Sequence, residues 1–262
     1  MPFTLLLAST GSGGGFLSQT LAGHPEVEAL PFLFHPERED RPEEAFWDYC
    51  NRRFLEEGLK LPGALPLLTK AYFAEEVVQR TTARGCVILP VLAQDLYLAD
   101  GPQPAPGSHP ELLQFAASLG GRFIHLIREN LLALQASRIR RELLNRKVPM
   151  TRHAPVEVPC ATLLDDLRRI DFEQQEMRRF LNQYPQSFSL SYEAFYRPDH
   201  DQGICPSTVR KLLDFLEVSR EAALSPEESK RSSTLLRRSI SNYSEVEATL
   251  GDTRYRFFLD PS

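Results

Sequence analysis

Continuous apolar runs alternate with amphipathic stretches along the chain. Phe3-Thr4-Leu5-Leu6-Leu7-Ala8, Cys86-Val87-Ile88-Leu89-Pro90-Val91-Leu92 and Phe123-Ile124-His125-Leu126-Ile127 are short runs with no polar alternation. Such runs suit strands covered on both faces of a parallel sheet. Phe188-Ser189-Leu190-Ser191-Tyr192 reads as a fourth strand. Helical spacing falls between and after them, over 16–22, near 43–57, 70–83 and 110–119, and over 129–146, 161–182 and 207–217. In 129–146 the apolar stripe is Leu132, Ala136, Ile139 and Leu143, with Arg138, Arg140, Arg141 and Arg146 mostly on other faces. In 161–182 the stripe is Leu164, Leu167, Ile170, Met177 and Leu181. Strands alternating with helices predict an α/β fold with a central, mainly parallel sheet flanked by helices. One domain over 1–262 is sufficient, with 36–66 and 93–110, rich in proline and charge, as loops or insertions.

Composition narrows this only where it departs from the ordinary. With 42% hydrophobic residues the chain can bury a sizeable core, and 25% charged residues exclude a disordered polymer. The net charge of −5 argues against binding nucleic acid by overall attraction. Residues 122–152 nevertheless carry eight basic and two acidic side chains. A short positive segment in an acidic protein suits a phosphorylated small molecule better than a duplex, which needs a broad basic face. Four separated cysteines and six histidines without ligand spacing predict neither a disulfide scaffold nor a metal site. The N-terminus lacks a basic lead and there is no apolar window of about 18 residues, so a cytoplasmic protein without a transmembrane segment is expected.

The strongest chemical signal lies between the first strand and its helix, in Ser9-Thr10-Gly11-Ser12-Gly13-Gly14-Gly15-Phe16. Glycines let the backbone turn tightly, aim several N–H groups into one concavity and meet the positive end of a helix dipole. This is a P-loop-like anion cradle. A Walker loop would end Gly-Lys-Ser/Thr, where Gly15-Phe16-Leu17 stands, and a dinucleotide fingerprint would need glycine at Phe16. A second segment, Ile124-His125-Leu126-Ile127-Arg128-Glu129-Asn130 followed by Ser137-Arg138, runs from a strand end into a helix. Arg128 and Ser137 can converge there on one phosphate, because ligands of open α/β sheets bind at the strands' carboxyl ends.

With these residues the chain resembles the sulfotransferases that use 3′-phosphoadenosine 5′-phosphosulfate, and it looks most like their bacterial carbohydrate and nodulation-factor branch. Thr10 to Phe16, with Leu17-x-x-x-Leu21-Ala22-Gly23-His24-Pro25, is similar to the family's 5′-phosphosulfate loop and helix. Arg128 and Ser137 match its 3′-phosphate motif. Ser191-Tyr192-Glu193-Ala194-Phe195 and Ile240-Ser241-Asn242-Tyr243 resemble its later segments. The resemblance implies binding of the phosphosulfate nucleotide through Thr10, Gly11, Ser12, Gly13, Gly14, Gly15, Phe16, Arg128 and Ser137, with Lys230 and Arg231 folding over the 3′-phosphate. It implies sulfuryl transfer to a hydroxyl of a carbohydrate-like or other small acceptor.

The departures bear on turnover. The family usually has a basic residue where Gly11 stands, and the bacterial branch a glutamate where Phe32 stands. Arg128 and Ser137 are nine residues apart where eight is usual, and Glu129 takes the nearer position. The remaining candidates for the acceptor base are His35, Glu28 and Glu37. His125 reads as a core histidine and His24 as a capping residue. A protein of the same fold that binds a nucleotide or anion without turnover stays open beside the enzyme; Gly11→Lys with Phe32→Glu would then create activity. A kinase-like P-loop protein is the third reading, opposed by the missing Gly-Lys-Ser/Thr.

Overall fold

The computed structural model describes residues 3–36, 45–57, 64–78, 86–99, 110–151, 154–196, 203–221, 224 and 235–259. Five described strands form one parallel sheet in the order β2-β3-β1-β4-β5. They are β1 (Phe3–Ala8), β2 (Val27–Ala29), β3 (Cys86–Leu92), β4 (Arg122–Ile127) and β5 (Ser187–Ser191). The described α-helices are α1 (Gly14–Ala22), α2 (Phe46–Glu57), α3 (Leu65–Tyr72), α4 (Ala93–Ala99), α5 (Glu111–Ser118), α6 (Leu131–Asn145), α7 (Cys160–Leu181), the single-turn α8 (Tyr192–Phe195), α9 (Pro206–Leu216), α10 (Leu236–Ser239) and α11 (Tyr243–Leu250), with a π-helical turn over Phe73–Val77 after α3 and a 3-10 helix over Arg254–Phe258. The α/β architecture read from the sequence is therefore present, with one strand more than expected. β2 escapes notice because three residues are too few to show a period. The fourth strand stops at Ser191, whose hydroxyl accepts from the Ala194 N–H and starts a helical turn at Tyr192.

All of β1, β3 and β4 is buried, which is why their sequences are uninterrupted apolar runs. Side chains alternate between the two faces. Phe3, Leu5 and Leu7 pack with α2, α3 and α5, whereas Leu6 and Ala8 pack with α1 and α9. Pro90 is tolerated inside β3 for a geometric reason. Ile88 O accepts from Leu30 N on the β2 side, so two residues on the Pro90 nitrogen faces the same side, beyond the end of β2. A third apolar cluster joins α6, α7 and α11 through Leu132, Leu167, Ile170 and Val246.

Two basic side chains take roles that local sequence does not show. Arg140, off the apolar stripe of α6, is nevertheless buried, donating from Nε to Ala154 O and from Nη2 to Ser239 O, and so ties the helix to the C-terminal segment. His24 is a buried link rather than a terminal cap, its Nε2 2.8 Å from Ser219 O while Nδ1 accepts from Glu26 N. His125 is buried in β4 and burial pushes its pKa down to about 4, as suits a neutral core histidine.

β1 is the switch point of the sheet: β3 lies on one side of it and β4 on the other. The crevice outside the carboxyl ends of these strands is the expected ligand position in such a sheet.

Candidate functional site

The chain leaving β1 enters that crevice directly. Gly11 (φ +85°) and Gly13 (φ +96°) adopt left-handed conformations, and Gly13 forms the N-cap of α1. Ser12 turns inward; its hydroxyl and its N–H both donate to Ser9 O, so it braces the loop and its side chain does not line the cavity. The N–H groups of Gly14, Gly15 and Phe16 open α1 and have no intrahelical acceptor, and neither a side-chain cap nor an acidic residue occupies that first turn. A Cβ on Gly14 would come within 2.7 Å of Ala8 Cβ, so glycine here lets the start of α1 pack closely against the end of β1.

Arg128 leaves the end of β4 and closes this loop against α6. Its Nη1 donates to Gly11 O and to Ser137 Oγ, each at 2.8 Å. The guanidinium carbon sits 5.1 Å from the Tyr192 ring centroid. Burial pushes its pKa down, opposed by Tyr192 and Glu193, and its buried Nε has no hydrogen-bond partner. The nine-residue spacing still brings Arg128 and Ser137 together. Asn130 caps α6 by accepting from Ala133 N, so Ser137 lies on the second turn facing the loop. Glu129 stays outside the contact: its side chain is exposed, and its N–H and that of Asn130 donate to the Glu193 carboxylate. Arg138 adds a further clasp, from Nε to Thr10 O at 3.2 Å and from Nη2 to Glu173 at 3.3 Å.

Two cavities open here. The first, about 670 Å³, is lined by Gly11, Gly13, Gly14, Gly15, Phe16, Phe32, Arg128, Ser137 and Tyr192 among others. The second, about 620 Å³, contains His35, Gln94, Asp95, Arg138 and Glu173. Ser9, Thr10, Arg141 and Asn145 line both. The wall between them is drawn tight by Thr10 Oγ1, which donates to Gln94 Oε1 at 2.7 Å.

The sequence candidates divide accordingly. Thr10, Gly11, Gly13, Gly14, Gly15, Phe16, Arg128 and Ser137 share the first cavity, and His35 lies in the second. Glu28 is half-buried on β2 and lines neither. Glu37, Lys230 and Arg231 lie outside the described residues. Sequence reasoning missed Asp95 and Arg141. Asp95 lies three residues past the end of β3, so the strand-end rule that singled out Arg128 applies to it equally. Arg141 is one helical turn past Ser137 on the same face of α6.

No family model matches the chain, and no curated protein matches it. Among solved structures it is similar to a sulfotransferase from Alicyclobacillus acidocaldarius, at 14% identity and a TM-score of 0.42, over 87% of this chain and 86% of that one. It is also similar to the sulfotransferase domain of the Synechococcus PCC 7002 olefin synthase, at 18% identity and a TM-score of 0.45, over 100% and 90%. No described helix is long and apolar enough to cross a membrane, and no group of three or more His, Cys, Asp or Glu among the described residues could hold a metal ion.

Proposed function

We propose that the chain transfers a sulfuryl group from 3′-phosphoadenosine 5′-phosphosulfate to a hydroxyl of a polar, carbohydrate-like or other small acceptor. The observation that carries this reading is the Arg128 contact. It joins an amide-lined glycine loop to a cation and a hydroxyl 117 and 126 residues later in the chain, giving one crevice two anion-binding elements. A donor charged at both its 5′ and 3′ ends suits such a crevice. The chain's residues fit it in one respect: the buried Nε of Arg128 is left with a donor to give.

In this reading the N–H groups of Gly14, Gly15 and Phe16 face the phosphosulfate oxygens, and Arg128 with Ser137 holds the 3′-phosphate. Lys230 and Arg231 belong to the same proposal as outer cations. Charge spreads onto the equatorial oxygens during an in-line displacement, and preorganised donors aimed at them lower the barrier. The loop itself supplies only neutral dipoles. Arg141, exposed and without an ion pair among the described residues, lines both cavities and brings a full charge to their junction. The second cavity bears Arg138, Arg141, Arg169, Glu142 and Glu173, a lining that suits a polar hydroxyl compound over an apolar alcohol.

One observation favours a second reading, binding without turnover: the Phe32 ring would lie 3.8–3.9 Å from a Cβ on Gly14 or Gly15, an apolar group beside the cradle. Both readings share one test. Thermal unfolding is followed with adenosine 3′,5′-bisphosphate, with ATP and AMP as controls. At a hundredfold excess over Kd the bisphosphate adds about 2.7 kcal/mol, a rise of roughly 5–8 °C for a chain of this size. No shift with any of the three nucleotides refutes the sulfuryl-transfer reading, and formation of a sulfate ester on a member of an acceptor panel separates it from binding without turnover.

A further inference from the structure

The second cavity is walled by charged side chains of α6 and α7, and most of them bind one another. Arg138 of α6 is held by Glu173 of α7 at 3.3 Å and by Thr10 O at 3.2 Å. Glu142 of α6 is engaged by Arg146 one turn along the same helix. Asp95 is 1% exposed with both carboxylate oxygens buried, and burial raises its pKa to about 7. It offers a ligand neither an open oxygen nor a full charge at neutral pH. The acidic groups of this cavity are therefore satisfied or shut away within the fold.

Two cations keep donors to give. Arg141 of α6 is exposed and has no ion pair among the described residues. Arg169 of α7 is 62% exposed and commits one nitrogen, Nη2, to Asp166 Oδ1 at 2.8 Å. Gln135 Nε2 and Thr162 Oγ1 already donate to the other oxygen of Asp166, so that carboxylate does not depend on Arg169 alone. The remaining two nitrogens of Arg169 have no hydrogen bond among the described residues. A guanidinium with spare N–H groups presents the planar fork that pairs with carboxylate and phosphate oxygens. An anion in this cavity would also offset the mutual repulsion of its arginines.

We propose that the acceptor taken by this cavity bears an anionic group, a carboxylate or a phosphate ester, apart from the hydroxyl that reacts, and that Arg169 and Arg141 hold that group. This rests on the sulfuryl-transfer reading, and it narrows the acceptor there to an acidic hydroxyl compound. Thr10 and Arg141 line both cavities, so the reacting hydroxyl belongs at that junction, whereas Arg169 lines the second cavity alone, on its α7 side. The net charge of −5 leaves the chain as a whole no general attraction for anions, so a preference for acidic acceptors has to come from this wall.

The test is calorimetric binding to the full chain saturated with adenosine 3′,5′-bisphosphate, with glucuronate, glucose 6-phosphate and glucose as probes. At least one acidic sugar is expected to bind about tenfold more tightly than glucose at low salt, and the advantage should shrink as ionic strength rises. The comparison of glucuronate with glucose 6-phosphate shows which anion the cavity takes. The readout is the ratio of acidic to neutral affinity, in which a general loss of binding cancels. Arg169→Gln should bring that ratio close to one, and Arg169→Lys, which keeps the charge without the fork, should retain part of it. Equal affinity for all three sugars, no binding of any of them, or a ratio that Arg169→Gln leaves intact overturns the proposal even where the bisphosphate binds. A wild type that does not bind the bisphosphate overturns the sulfuryl-transfer reading, and the acidic acceptor falls with it.

Discussion

Introducing a lysine at position 11, the residue type that the resemblance associates with activity, is expected to damage this protein rather than equip it. Gly11 has φ +85°, and a left-handed conformation costs a side-chain-bearing residue about 1–2 kcal/mol. Its Cβ would lie 3.1 Å from Ser137 Cβ, 3.2 Å from Arg138 N and 3.2 Å from Leu134 O. Two of these are backbone atoms of α6 and cannot swing aside, so the loop must move off the helix. That movement breaks the charge-assisted hydrogen bond from Arg128 to Gly11 O, worth about 1.5–3 kcal/mol. The two effects together come to roughly 2.5–5 kcal/mol, a fall in Tm of about 5–12 °C. Differential scanning calorimetry of Gly11→Lys against wild type measures it. Gly15→Ala is the matched control, because a Cβ there meets only the Phe32 ring at 3.9 Å in a helical position, and it should gain up to about 1 kcal/mol. A Gly11→Lys variant that melts with the wild type, or that acquires donor turnover at an unchanged Tm, would refute this reasoning.

Three further outcomes follow from the same contacts. Arg128→Gln removes the clasp on Gly11 O and Ser137; urea unfolding should show a loss of about 1.5–3 kcal/mol, and the thermal shift with the bisphosphate should disappear. Arg141→Ala should leave stability within about 0.5 kcal/mol of wild type, since the side chain is exposed and unpaired among the described residues, while weakening bisphosphate or donor binding in calorimetry. Asp95 is raised by burial from 3.8 to about 7, so between those values the folded state holds a proton that the unfolded state has released, and stability falls as pH rises. The slope is at most about 1.4 kcal/mol per pH unit, and Asp95→Asn removes it. The variant should therefore gain on the wild type from pH 4 to 7 and keep a constant difference above; parallel urea-midpoint curves would count against a buried carboxyl without a hydrogen bond.

What the sequence made legible was what burial on two faces imposes. β1, β3 and β4 announce themselves because a strand covered on both sides has no polar residue to lose, and the glycine loop because left-handed backbone admits little else. Arg128 and Ser137 were found through strand-end position, and their nine-residue spacing mattered less than the point at which Asn130 caps the helix. The failures have one cause. Asp95, Arg140 and Ser12 carry polar side chains whose solvent exposure in a linear reading is the default, and tertiary packing buries all three. Nothing local distinguishes a buried arginine that ties Ala154 and Ser239 together from its solvated neighbours on α6.

The distribution of charge across the crevice explains why α6 carries so much of the site. A loop made of Gly11, Gly13, Gly14 and Gly15 can offer an anion only neutral amides, and at Gly11, Gly13 and Gly14 its conformation leaves no room for a side chain. The positive charge has to come from a neighbouring element whose backbone already touches the loop, and α6 does so at Leu134, Ser137 and Arg138. Successive turns of one helix then present Ser137, Arg138 and Arg141 along the line where the two cavities meet. The basic segment at 122–152, anomalous in an acidic chain, is thereby accounted for in part by position: Arg128 closes the cradle, Arg138 clasps its rim, and Arg141 faces both cavities. Charge carried on a helix instead of in the loop also separates binding from stability. Under the proposed function Arg128 serves both, whereas Arg141 is expected to be removable with little effect on the fold.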